Sequence, residues 1–279
     1  MTSLLDFARV VAVSCLALPM AFAPALAQSP APAQSEEFQP KVGQEGKDVI
    51  WVPTAQALVD RMLDMAQVTP SDFVIDLGSG DGRTVITAAK RGAKALGIEY
   101  NPQMVALSQR NAEREGVSDK ATFVKADLLE SDLSPATVIT MFLLPEINLQ
   151  LRPKILDLRP GTRIVSNSFN MGDWTADETV EARQDCTSYC KAFFWIVPAK
   201  VAGTWRSPAG DLTLEQKYQN VSGTLKTKSG TTKISEGKLR GDQITFTAGN
   251  AQYTGRVNGY KIEGTTKSGG KETNWLATR

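Results

Sequence analysis

The run Val74-Ile75-Asp76-Leu77-Gly78-Ser79-Gly80-Asp81-Gly82-Arg83 constrains this chain more than any other segment. It opens as an apolar strand, predicted over residues 73–77, that ends in an acid and enters a turn of three glycines. A helix pattern over 84–90 follows directly. Glycine admits positive φ and lets the backbone come close to a ligand, and the first turn of the helix aims unpaired N–H groups at the same spot. A second strand, predicted over 95–99, closes on Glu99, 23 residues beyond Asp76. That order makes a βαβ unit, and an acid closing its second strand accepts hydrogen bonds from both hydroxyls of a ribose. The chain is therefore expected to bind an adenosine-containing cofactor.

The glycine spacing narrows the cofactor. Dinucleotide sites use G-x-G-x-x-G, whereas this turn is G-x-G-x-G, with Asp76 before it and Asp81 inside it. Two carboxylates beside the loop repel a pyrophosphate and suit an ammonium or a sulfonium. The expected ligand is S-adenosyl-L-methionine, a cation with an amino-acid tail; a glycine-rich βα turn in some other α/β protein is the alternative.

The chemistry open to such a site is bounded by composition. The chain has no histidine, which removes a Ser-His-Asp triad, a Cys-His dyad and any His-ligated metal. No metal site is expected. Residues 1–27 read as a secretory signal: Arg9, an apolar stretch over 10–26 broken by Pro19 and Pro24, then Ala25-Leu26-Ala27. The expected location is periplasmic or extracellular, with a membrane-anchored or cytoplasmic chain as the alternative. Residues 28–45 read as a flexible linker. Cys15 leaves with the signal, and Cys186 and Cys190 remain. In an exported protein this pair is expected to form a disulfide closing a short loop, with a redox-active pair as the alternative.

Residues 46–200 alternate strand and helix patterns, which implies a mostly parallel sheet. Thr54 stands where it can cap a first helix bearing Leu58, Met62 and Met65. Asn101-Pro102 opens another helix with proline at its first position. Further strands are predicted over 122–125, 138–144 and 162–166, a helix over 146–156, and an antiparallel hairpin from 179–183 and 192–197 around the cysteines. The texture changes in residues 201–279. Eight short alternating segments (204–206, 212–217, 221–227, 232–239, 243–247, 252–257, 260–265 and 273–278) are separated by glycine turns, the pattern of an up-and-down barrel. Trp205 and Trp275 are expected either to close one mouth of it or to be ordinary core aromatics. Residues 201–279 hold 12 Lys/Arg against 6 Asp/Glu, and residues 1–200 hold 19 against 24. The basic segment either meets an acidic envelope partner or is a solvated surface.

Residues 50–200 resemble the class I, seven-stranded S-adenosylmethionine-dependent methyltransferases. Within them they are most similar to a lysine methyltransferase group of archaea and eukaryotic mitochondria. The resemblance rests on Trp51-Val52-Pro53-Thr54, the run 76–83, Gly97-Ile98-Glu99-Tyr100-Asn101, Leu143-Leu144-Pro145-Glu146, Leu151-Arg152-Pro153-Lys154 and the run 160–166. It implies a Rossmann-like doubly wound sheet. It also implies cofactor binding by Trp51, Thr54, Asp76, Gly78, Ser79, Gly80, Asp81, Gly82, Glu99, Tyr100, Asn101, Asp127 and Leu128. Of these, Asp76 and the glycine loop would hold the methionine end, Glu99 the ribose, and Asp127 with Leu128 the adenine. Leu144-Pro145-Glu146 lies where many relatives place the motif beside the transferred methyl. It lacks the Asn/Asp-Pro-Pro-Tyr form, which argues against nucleobase or glutamine acceptors. The C-terminal segment resembles small β modules appended to secreted bacterial proteins.

The function expected from these features is methyl transfer to protein lysine. The alternatives are an exported small-molecule methyltransferase and a non-catalytic protein that binds an adenosyl ligand or an envelope partner. No nucleic acid partner and no lasting membrane insertion are expected. Pro145 and Glu146 are the candidate catalytic residues: Pro145, with Trp51 and Phe142, would strip water from an incoming amine, and Glu146 would orient it or take its proton. Glu146 as a plain acid facing a helix dipole is the alternative.

Overall fold

The computed structural model describes residues 38–279, so the signal expected over 1–27 lies outside the described residues. Strands β1 (Phe73–Leu77), β2 (Lys94–Glu99), β3 (Ala121–Lys125), β4 (Val138–Met141), β5 (Arg163–Asn167), β6 (Glu178–Glu181) and β7 (Lys191–Ile196) form one mixed sheet in the order β3-β2-β1-β4-β5-β7-β6. β1 to β5 run parallel; β7 is antiparallel to β5, and β6 to β7. The chain builds outward from β1 through β2 to β3, then crosses back to start again at β4.

Period-two alternation explains why these strands read as unbroken apolar runs. Val74, Val138 and Val165 enter one core layer, with Leu58 and Met62 of α1 (Gln56–Met65) and Val85 of α2 (Arg83–Lys90). Ile75, Ile139 and Ile164 enter the other, with Leu151 and Ile155 of α4 (Pro145–Leu156) and the fully buried Trp174 and Trp195. A sheet covered on both faces needs apolar residues at successive positions. α3 (Pro102–Arg114) starts as expected: the Asn101 side chain accepts a hydrogen bond from the Gln103 amide, and Pro102 fills the first position.

Two local readings need correction. Thr54 does not cap α1, whose N-cap is Ala55. Its buried hydroxyl instead accepts from Asn167 Nδ2 at 3.1 Å, and its carbonyl accepts from Arg83 at 2.8 Å. The tertiary partners take the groups that a local cap would have used. β4 ends at Met141 rather than 144, because residues 142–144 leave the ladder to line a cavity.

Strands β8 (Gly203–Ser207), β9 (Gly210–Lys217), β10 (Asn220–Thr227), β11 (Gly230–Arg240), β12 (Gln243–Ala248), β13 (Ala251–Asn258), β14 (Lys261–Ser268) and β15 (Lys271–Thr278) pair with their sequence neighbours and close into a barrel where Thr278 meets Arg206. Trp205 is fully buried, donates from Nε1 to the Val201 carbonyl at 2.8 Å and lies 4.5 Å from the Arg279 guanidinium. Trp275 instead lines a separate cavity of about 690 Å³ with Phe246 and Tyr253, and Trp205 is not among the lining residues. The two tryptophans therefore do not share a mouth, and Trp205 is an ordinary core aromatic.

The turn between β9 and β10 joins barrel to sheet. Tyr218 stacks on Trp174 with 5.9 Å between ring centroids, and its hydroxyl donates to Asp173 at 2.8 Å. Arg152 stands 5.5 Å from the same ring. Buried Gln219 donates to the Thr175 carbonyl at 2.7 Å.

Candidate active site

A cavity of about 680 Å³ opens at the carboxyl ends of β1, β2 and β4. It sits where the strand order reverses, between β1 and β4, which is where open α/β sheets bind ligands. The glycine turn forms its floor. Gly78 and Gly80 have φ of +73° and +55°, and a Cβ on Gly80 would stand 2.7 Å from Trp51 Nε1. Only a residue without a side chain fits between the loop and that indole.

Glu99 ties the loop to the second strand. Its Oε2 accepts from the Gly80 amide at 3.0 Å and its Oε1 from the Asn101 amide at 2.9 Å. Asp76 is buried and accepts from the Thr140 hydroxyl at 2.6 Å. Burial drives its carboxyl up to about 7 against that bond, and the charges of Asp81 and Glu99 add to the rise. Ser79 Oγ is buried with no hydrogen-bond partner among the described residues.

Twelve of the thirteen residues expected to bind cofactor line this cavity. Gly82 does not. It is the N-cap of α2 at φ +83°, and a Cβ there would lie 2.8 Å from the Phe123 ring, so it serves the packing of helix on strand. Asp81 lines the cavity but its carboxylate is gripped by Arg83, with Nε at 3.0 and 3.1 Å from the two oxygens. The expectation of two carboxylates facing a cation therefore reduces to Asp76. Pro145 and Glu146 stand apart from the other candidates. Neither is among the cavity-lining residues, and Glu146 is exposed in the first turn of α4. Their neighbours Phe142, Leu143, Leu144 and Ile147 line it instead.

Several lining residues carried no signal of their own. Residues 41–51, the first five of which belong to the expected linker, form a small turn over the cavity. The Gly43 amide donates to the Trp51 carbonyl, and the Trp51 amide to the Gln44 carbonyl, each at 2.9 Å. This strap brings Lys47 onto Asp127, with its ammonium 5.1 Å from the Tyr100 ring centroid. The Lys47 bond and the Leu129 amide hold the Asp127 carboxyl below the usual range. Phe169, beyond β5, and Tyr189, within the loop closed by the Cys186–Cys190 disulfide, also line the cavity.

The two halves of the cavity differ in kind. Asp76, Glu99 and Asp127 sit at the ends of β1, β2 and β3. Apolar and aromatic side chains sit at the ends of β4 and β5. Such a site holds a cationic adenosyl compound on one side and presents a dry wall on the other. Buried Asp76, unpartnered Ser79 Oγ and the two-pronged Glu99 fit S-adenosylmethionine, so the fold and the site define a class I methyltransferase.

Known proteins bear this out. Residues 76–178 match the ANTKMT methyltransferase domain family. The chain is 45% identical over 136 residues to a protein-lysine N-methyltransferase of Saccharolobus islandicus, covering 48% of this chain and 84% of that protein. It is 34% identical over 128 residues to the adenine nucleotide translocase lysine N-methyltransferase of Mus musculus, over 45% of this chain and 56% of that one. Among solved structures, an RNA methyltransferase from Salinibacter ruber in complex with S-adenosyl-L-homocysteine aligns with TM-score 0.50 and 44% identity, over 54% of this chain and 96% of that chain. The chain belongs to the family of the Saccharolobus enzyme and is an S-adenosylmethionine-dependent methyltransferase.

Asp76 gives this site a pH signature. Between about 4 and about 7 the folded protein keeps a proton on Asp76 that the unfolded chain has released, so the stability this group contributes falls as pH rises through that window. A cation beside the carboxyl favours its ionised form. Cofactor binding should therefore expel a proton below about pH 7, and affinity should rise with pH up to that point and then level. Calorimetry in two buffers of different ionisation enthalpy measures the proton, and Asp76→Asn should abolish it. Binding without proton release in the parent would remove Asp76 from the cation's surroundings.

Proposed function

We propose that this protein transfers a methyl group to lysine side chains of a protein acceptor, and that it does so outside the cytoplasm. The carrying observation is the 45% identity over 84% of a protein-lysine N-methyltransferase. Export is inferred from the signal pattern in residues 1–27 and agrees with the Cys186–Cys190 disulfide.

S-adenosylmethionine supplies an electrophilic methyl when bound. Asp76, the glycine loop and Glu99 would hold it. A lysine amine attacks only when neutral, and its pKa in water is about 10.4. The apolar wall of Leu143 and Leu144, with the sulfonium charge beside it, disfavours the ammonium form and lowers that value. The lining residues would mainly align and desolvate the acceptor, and positioning alone supplies roughly 7–11 kcal/mol in favourable cases.

The test is to incubate the purified protein with methyl-labelled cofactor and an envelope extract, with Glu99→Ala as the blank. Methyl-lysine in protein, found by mass spectrometry, is the expected result. Label confined to small molecules would favour the metabolite alternative. Label in RNA would overturn the lysine reading.

A further inference from the structure

We propose that Phe142, Phe169 and Tyr189 form an aromatic seat for the alkylammonium end of the methyl acceptor and product, with the Cys186–Cys190 bridge holding its third member in place. This rests on the lysine reading above and extends it to a binding subsite.

Three separate parts of the chain bring these rings together. Phe142 follows β4, Phe169 follows β5, and Tyr189 comes from the loop between β6 and β7. Ring centroids are 5.2 Å apart for Phe142 and Tyr189, and 6.1 Å for each of the other two pairs, with Tyr189 tilted to both phenyl rings. All three line the cavity on its apolar half, beside Leu143 and Leu144. Aromatic faces attract a cation through the ring quadrupole, and most strongly where water is excluded. The same surface also suits a neutral amine that must shed water before attack, so one wall serves both the acceptor and its methylated product.

Tyr189 is the unusual member. It is 46% exposed, so the hydrophobic core does not fix it. Its φ is +54°, in the left-handed region that bulky residues rarely adopt. Asp185, at the other end of the loop, has φ +55°. The bridge between Cys186 and Cys190 closes a short loop around Tyr189, with Asp185 just before it, and Cys186 packs against the sheet core. The loop is thereby anchored with its tyrosine over the cavity. Phe142 and Phe169 fall within the family match at residues 76–178, whereas Tyr189 and both cysteines lie beyond it.

The test uses the full chain saturated with S-adenosylhomocysteine. Two peptides are titrated by calorimetry: one carries trimethyllysine, the other its neutral tert-butyl isostere. The expected result is a preference for the cation of about two- to thirtyfold, the span of a ring–cation contact. Tyr189→Ala should remove much of that preference, and Tyr189→Phe should keep it. Reduction with dithiothreitol, or Cys186→Ser with Cys190→Ser, should reproduce the alanine variant. Affinity for S-adenosylhomocysteine should stay unchanged throughout, which reports that the fold is intact. Equal binding of the two peptides, no binding of the cationic one, or an undiminished preference in Tyr189→Ala would each overturn the proposal. A clear cation preference without lysine methylation would sink the lysine reading alone, and lysine methylation without the preference would sink the seat alone.

Discussion

Glu99→Ala should weaken S-adenosylmethionine binding by about 100-fold or more while leaving the fold intact. The side chain makes two charge-assisted bonds, to the Gly80 and Asn101 amides, each worth about 1.5–3 kcal/mol. Those two bonds hold the glycine loop; the same carboxylate is the expected acceptor for both ribose hydroxyls, and losing two such charged bonds to the ligand corresponds to about two decades of affinity at about 1.4 kcal/mol per decade. Glu99→Gln keeps an acceptor for one amide and should fall between. Calorimetric titration reads the affinity and circular dichroism the fold. An unchanged dissociation constant in the alanine variant would show that this acid neither shapes the loop nor touches the ligand.

Trp205→Ala is expected to be the most damaging single truncation in the barrel, costing about 3–5 kcal/mol. The ring is fully buried, its N–H satisfies the Val201 carbonyl, and Arg279 covers it. Against a typical total of about 5–15 kcal/mol, that loss brings the barrel close to its unfolding threshold. Trp275→Ala should cost less than half as much, because that ring is only half-buried and borders a cavity. Urea unfolding of both variants gives the comparison. Equal costs would mean that burial does not rank these two tryptophans.

Much of this architecture was legible in the residues because its signals are local and redundant. The strands around Ile75 and Ile139 are short apolar runs bounded by turn residues. Several of the barrel turns carry plain signals, Gly241-Asp242, Asn258-Gly259 and Gly269-Gly270 among them, whereas the Tyr218-Gln219 turn carries none. The site was legible where backbone conformation needs glycine, as at Gly78 and Gly80. It was opaque where a side chain's partner is distant in sequence. Nothing in Gln44-Glu45-Gly46-Lys47 shows that Lys47 meets Asp127 eighty positions on. Tyr189 had a signal in the flanking cysteines, but no spacing rule says which way a loop carries its tyrosine. Asp81 could have been read correctly, since Arg83 two residues later is within reach. The placement of Glu146 was opaque for a different reason: Leu144 before it and Ile147 after it line the cavity, and a helix turn presents only some of its positions to one side.

The contact of Tyr218 with Trp174 makes the barrel part of the sheet's own interior. Trp174 is fully buried with that ring stacked on it. The chain reads as two modules in linear order, yet its described residues form one compact unit, 38–279. Cutting after residue 200 would uncover an indole and the apolar layer beneath it. The truncated sheet would then carry an apolar patch, and a 38–200 fragment should self-associate in sedimentation where the full chain does not.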